Sequence, residues 1–158
     1  MTPAPNSFHQ EILGELFRYF LPYFKGKPCK GYFAPFDIRL SDLKNPDDDI
    51  VNVVQPDLSV ICDQNKIDKR GCLGAPDMII EILSPSTTKK DLSEKYILYE
   101  KFGVKEYWIA DPGNKVIHAY QLDDKGKFIL DKIYEKPEEI TSFLFNDLTI
   151  NLSVIFTE

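Results

Sequence analysis

The run Pro76-Asp77-Met78-Ile79-Ile80-Glu81-Ile82-Leu83-Ser84 has an apolar, β-branched centre, with Gly74 and Pro76 at its start and Pro85 at its end. Such a run reads as a short strand buried on both faces. Glu81 sits in its middle. An unpartnered buried carboxylate is costly, so such a group is paired, metal-bound or protonated. A carboxylate at a sheet edge or in an internal ion pair is the plain alternative to a metal ligand.

The chain has 158 residues, 43% of them hydrophobic and 28% charged, which fits a single globular domain over 1–158. No apolar run reaches the ~18 residues of a membrane span, and no signal peptide is expected. Cys29, Cys62 and Cys72 are odd in number and widely spaced. That argues against a disulfide framework and for a reducing, cytoplasmic setting. The net charge of −6 runs against tight non-specific phosphate binding.

Working outward, residues 8–24 carry apolar side chains at Ile12, Leu13, Leu16, Phe17, Phe20 and Leu21, the spacing of an amphipathic helix capped by Asn6 or Ser7. Residues 29–40 read as a strand bent at Pro35, 41–49 as a polar turn, and 51–63 as a second strand with Pro56-Asp57 inside it. Residues 64–74 read as a loop bearing Lys66, Lys69 and Arg70. After the central strand, Thr88 and Asp91 form a capping box for a helix over 89–102, stopped by Gly103. Further strands are expected at 104–110, 115–122, 128–134 and 148–156. The fold class is α/β, or more narrowly α+β: a mixed sheet with an N-terminal helix, a three-strand meander, a second helix and further strands.

Asp77 and Glu81 share a strand face but stand about 13 Å apart, too far for one ion with oxygen ligands at ~2.1 Å. Glu81 needs an acid from a neighbouring strand, ~4.8 Å away, and Asp57 is the natural choice. Two hard oxygen donors suit Mg²⁺ or Mn²⁺. Position 83 would place a cation on the same face, but it is Leu83. Lys95, one helical turn after Asp91, is the best substitute; the plain reading is a surface lysine paired with Asp91. His9 and Glu11 are further candidates from the first helix, and Asp77 is a candidate better suited to holding the strand entrance.

The strings "VVQPDLSVICD", "GAPDMIIEILSPSTTKKDLSEKYILYEKFGVKEYWIADP" and "PAPNSFHQEILGEL" resemble the Uma-type endonuclease family of the PD-(D/E)xK, restriction-endonuclease-like superfamily. The resemblance implies a metal-dependent nuclease acting on DNA, with Asp57 and Glu81 as ligands and the lysine displaced onto the helix as Lys95. Cleavage of both strands by one site per chain would call for a homodimer. The family commonly begins with a segment ahead of the residues matching Pro3-Ala4-Pro5, so an N-terminal piece is expected to be missing. The competing reading is an inactive nuclease-fold module that binds nucleic acid or protein. It draws on Leu83 and the acidic charge, with Tyr107, Trp108 and Tyr120 as interface aromatics.

Overall fold

A computed structural model describes residues 6–41 and 52–157. Helix α1 (Ser7–Phe24) is capped by Asn6, whose side chain accepts from the His9 backbone N–H at 2.9 Å. It is followed by β1 (Lys30–Phe33), β2 (Ile38–Leu40), β3 (Asn52–Val54) and β4 (Leu58–Ile61). A 3₁₀ turn (Gln64–Lys66) leads to β5 (Ile67–Asp68), β6 (Gly71–Leu73) and β7 (Met78–Ile82). Helix α2 (Lys89–Phe102) precedes β8 (Glu106–Asp111), β9 (Val116–Leu122) and β10 (Phe128–Glu135). A hairpin of β11 (Glu139–Thr141) and β12 (Thr149–Asn151) and a short α3 (Leu152–Ile155) complete the order.

The main sheet runs β1-β4-β7-β8-β9-β10, and its β7–β8 pair is parallel, with α2 as the connection. The meander is present as β1-β4-β7, each pair antiparallel. Strand alternation divides β7 between two cores. Met78, Ile80 and Ile82 face Ile12, Leu16 and Phe20 of α1. Ile79 lies with Tyr99, Tyr107 and Ile109 on the α2 side. Phe20 and Trp108 are fully buried and meet edge to face, so truncating Phe20 would cost about 3–5 kcal/mol.

The capping box of α2 is present, and Gly103 closes the helix at φ 82°. Other boundaries differ from expectation. The strand expected over 29–40 breaks at Pro35 into β1 and β2, which belong to different sheets, and the strand expected over 51–63 breaks the same way at Pro56. A proline lacks the N–H that a continuous ladder requires. The released pieces build a second sheet, β3-β2-β6-β5, and the expected 64–74 loop supplies its β5–β6 hairpin. Gly71 makes that hairpin: its φ is 117°, and a Cβ there would lie 2.2 Å from the Asp37 carbonyl oxygen. The 148–156 strand is strand only through Asn151, whose side chain then caps α3. Most of the turn expected at 41–49 lies outside the described residues.

The cysteine expectation is corrected. Cys29 and Cys62 face each other across the β1–β4 ladder and form a disulfide, leaving Cys72 as the free, buried thiol. Sequence spacing hid this because 33 residues separate two positions that the ladder makes neighbours. The cytoplasmic expectation loses the support it drew from unpaired thiols. Among the described residues, no helix is long and apolar enough to cross a membrane.

Candidate active site

Asp57 lies just ahead of β4, and the register Leu58↔Ile80 carried one residue further sets it opposite Glu81. The two acids are locked crosswise. The Asp57 backbone N–H donates to Glu81 Oε1 at 3.2 Å, and the Ile82 N–H donates to Asp57 Oδ2 at 2.7 Å. From α2, Lys95 Nζ lies 2.6 Å from Glu81 Oε2, and the Tyr99 hydroxyl donates to the same oxygen at 3.1 Å. From α1, His9 Nε2 lies 3.1 Å from Asp57 Oδ1. His9, Asp57, Glu81 and Lys95 line a cleft of about 990 Å³ together with Asn52 and Gln55, while Tyr99 is buried behind Glu81.

Glu81 is only 4% exposed. Burial pushes its carboxyl pKa up, and the Asp57 carboxylate adds to this, against the opposing pull of Lys95. Burial works against the Lys95 ammonium, but Glu81 outweighs it and holds the lysine above its usual value. Burial likewise lifts the Tyr99 phenol far above its normal range, so it stays a donor.

The sequence-predicted residues therefore separate. Asp57, Glu81, Lys95 and His9 converge. Lys95 pairs with Glu81, not with Asp91 as its plain reading had it. Asp91 lines the cleft, but its carboxylate closes the capping box: the Thr88 N–H donates to it at 3.1 Å and, with the Thr88 hydroxyl, lowers its pKa. Glu11 is not in the cleft. It is exposed, because two residues along a helix turn it about 200° from His9. Asp77 sits at the far end of β7, where it accepts from the Cys62 N–H at 2.8 Å and pairs with Lys105 at 3.4 Å. Tyr99 escaped sequence reasoning because its place in the apolar stripe of α2 masked its hydroxyl; its position one turn after Lys95 was the available signal.

Among the described residues, no group of three or more His, Cys, Asp and Glu side chains is placed to hold a metal ion. The Asp57–Glu81 pair still fits a cation that keeps most of its waters and takes one or two carboxylates. Glu81 Oε1 accepts a single hydrogen bond, leaving acceptor capacity beside the Asp57 carboxylate. A divalent ion there would also relieve the burial that pushes Glu81 toward protonation.

Comparison with known proteins gives a consistent picture. The fold superimposes with a TM-score of 0.77 on a crystal structure from Anabaena variabilis titled as a putative nuclease belonging to DUF820, at 20% identity, covering 99% of this chain and 84% of that one. An uncharacterized protein of Synechocystis sp. is 28% identical over 123 residues, which is 77% of this chain and 61% of the relative's length. Residues 1–153 match the Uma2 family, described as "Putative restriction endonuclease". A match over nearly the whole chain makes this protein a member of the Uma2 family.

Proposed function

We propose that the protein is a Mg²⁺- or Mn²⁺-dependent endonuclease that hydrolyses phosphodiester bonds in DNA. The observation that carries the reading is the register-locked pair of carboxylates, Asp57 and Glu81, lining a cleft with Lys95 held on Glu81. Membership of a family described as "Putative restriction endonuclease" supports the substrate class.

Asp57 and Glu81 would hold the cation. A bound divalent ion supplies Lewis-acid polarisation of a phosphoryl oxygen and a more acidic water. His9 fixes the Asp57 carboxylate from one side, while Tyr99 and Lys95 fix Glu81 from the other. Lys95 keeps its charge at neutral pH and extends to the cleft, where it can orient a water or stabilise negative charge growing on the phosphoryl oxygens. Water adds to phosphorus and gives up a proton, the bond to one ester oxygen breaks, and that oxygen takes up a proton to leave as a hydroxyl.

Supercoiled plasmid incubated with Mn²⁺ tests this. Wild-type protein should nick it and Glu81→Ala should not. Equal nicking by both proteins would place the activity outside this site.

A further inference from the structure

Beside the catalytic cleft is a smaller cavity of about 370 Å³, walled by Phe8, Leu83, Pro85 and Pro112, with Asn6 and Asp111 among its polar lining. Two features tie it to the site. Ser84 lines both spaces, and Phe8 directly precedes His9, which holds Asp57. Leu83 also finds a role here. The position two beyond Glu81 carries no cation because the lysine stands on α2, and its leucine forms part of an apolar wall. A larger apolar cavity lies across Leu83, lined by Tyr96, Ile97 and Tyr120, but it shares no lining residue with the catalytic cleft.

The volume is at the small end of ligand sites and suits one planar ring system, not a duplex. Phe8 offers an aromatic surface, and the two prolines and Leu83 offer aliphatic ones. Enzymes that take up a nucleobase hold it in this way, between apolar or aromatic side chains with polar groups to meet its edge. Asp111 receives two hydrogen bonds from Asn114 and keeps acceptor capacity for a base. A protein of net charge −6 gains little from general phosphate attraction, so contacts to a base would supply affinity that its charge does not.

We propose that this cavity receives one unstacked nucleobase of the substrate strand beside the phosphate to be cut, so that the protein acts on single-stranded or locally opened nucleic acid. The proposal rests on the nuclease reading for its substrate and adds the form of that substrate.

Binding in EDTA, by fluorescence anisotropy, separates the two. The probes are a short labelled single-stranded oligodeoxynucleotide, an abasic strand with the same number of phosphates, and the duplex. Wild type should bind the base-bearing strand about ten-fold more tightly than the abasic one, the scale of one stacked base, and more tightly than the duplex. Gly113→Trp fills the cavity from an exposed turn whose φ lies outside the left-handed region. It should weaken binding of the base-bearing strand alone. Equal wild-type affinity for base-bearing and abasic strands, or preference for duplex, overturns the proposal. No binding to any strand removes the nucleic-acid reading with it. Base-dependent binding without plasmid nicking supports the cavity and counts against catalysis alone.

Discussion

Two buried glutamates on neighbouring strands meet opposite fates. Glu106 on β8 is 2% exposed, and both its oxygens are fully used. Oε1 accepts from the Ser142 hydroxyl at 2.7 Å and the Leu144 N–H at 3.1 Å. Oε2 accepts from Trp108 Nε1 and the Phe143 N–H, both at 2.9 Å. Four donors fill the four acceptor positions of a carboxylate. Glu81 on β7 has three donors, a second carboxylate opposite it and a cleft in front of it. Burial alone does not mark a functional acid. What distinguishes Glu81 is unused acceptor capacity beside another acid, where the cation of the proposed function would complete what the protein leaves undone.

Substitution should separate the two sites. Asp57→Ala or Glu81→Ala should lower plasmid nicking by about 100-fold or more. The melting temperature should fall less than in Glu106→Ala, because each change strands fewer donors and also removes one of two facing carboxylates. Glu106→Ala should do the reverse. Stranding four donors inside the protein should cost about 3–5 kcal/mol, a drop of roughly 10 °C in a thermal melt. Any nicking activity that survives in the folded fraction should be near wild type per folded molecule. If Glu106→Ala left stability unchanged, the contrast would fail.

The Cys29–Cys62 bond provides a second check on separability. It lies beyond the C-terminal end of β4, whereas Asp57 precedes the N-terminal end. Cys29→Ser opens a link spanning 33 residues and should cost about 3–4 kcal/mol, read as a lower melting temperature with nicking by the folded protein retained. Acidity sharpens the picture further. Because burial raises the Glu81 pKa, a proton competes with a cation above the ordinary carboxylate range. Mn²⁺ affinity should therefore fall as pH is lowered through that window, by at most about ten-fold per pH unit for one proton. A calorimetric titration at several pH values measures this; affinity that rises on acidification would contradict the assignment. The smallest change should come from Tyr99→Phe, which removes one of the three donors to Glu81 and should cost about 0.5–1.5 kcal/mol, with a several-fold loss of nicking.

The sequence carried the local features well. The 3.6-residue spacing of α1, the Thr88–Asp91 box, the Gly103 stop and the buried run around Glu81 are all written in neighbouring residues. The choice of Asp57 as the residue opposite Glu81 followed from strand spacing, because the pairing joins consecutive strands of a meander. What the sequence hid depends on long-range pairing. Pro35 reads as a bend in one strand and Pro56 as a residue inside another, yet the chain leaves the main sheet at Pro35 and returns to it at Pro56. Cys29 and Cys62 meet only through the β1–β4 register. The four donors to Glu106 come from Trp108 on its own strand and from 142–144, which no local pattern links to β8.

Anomalous diffraction from a crystal grown with Mn²⁺ tests the central assignment most directly. The account predicts a single strong peak in contact with both the Asp57 and Glu81 carboxylates, lost in Asp57→Ala. A peak elsewhere, or none at saturating Mn²⁺, would contradict it.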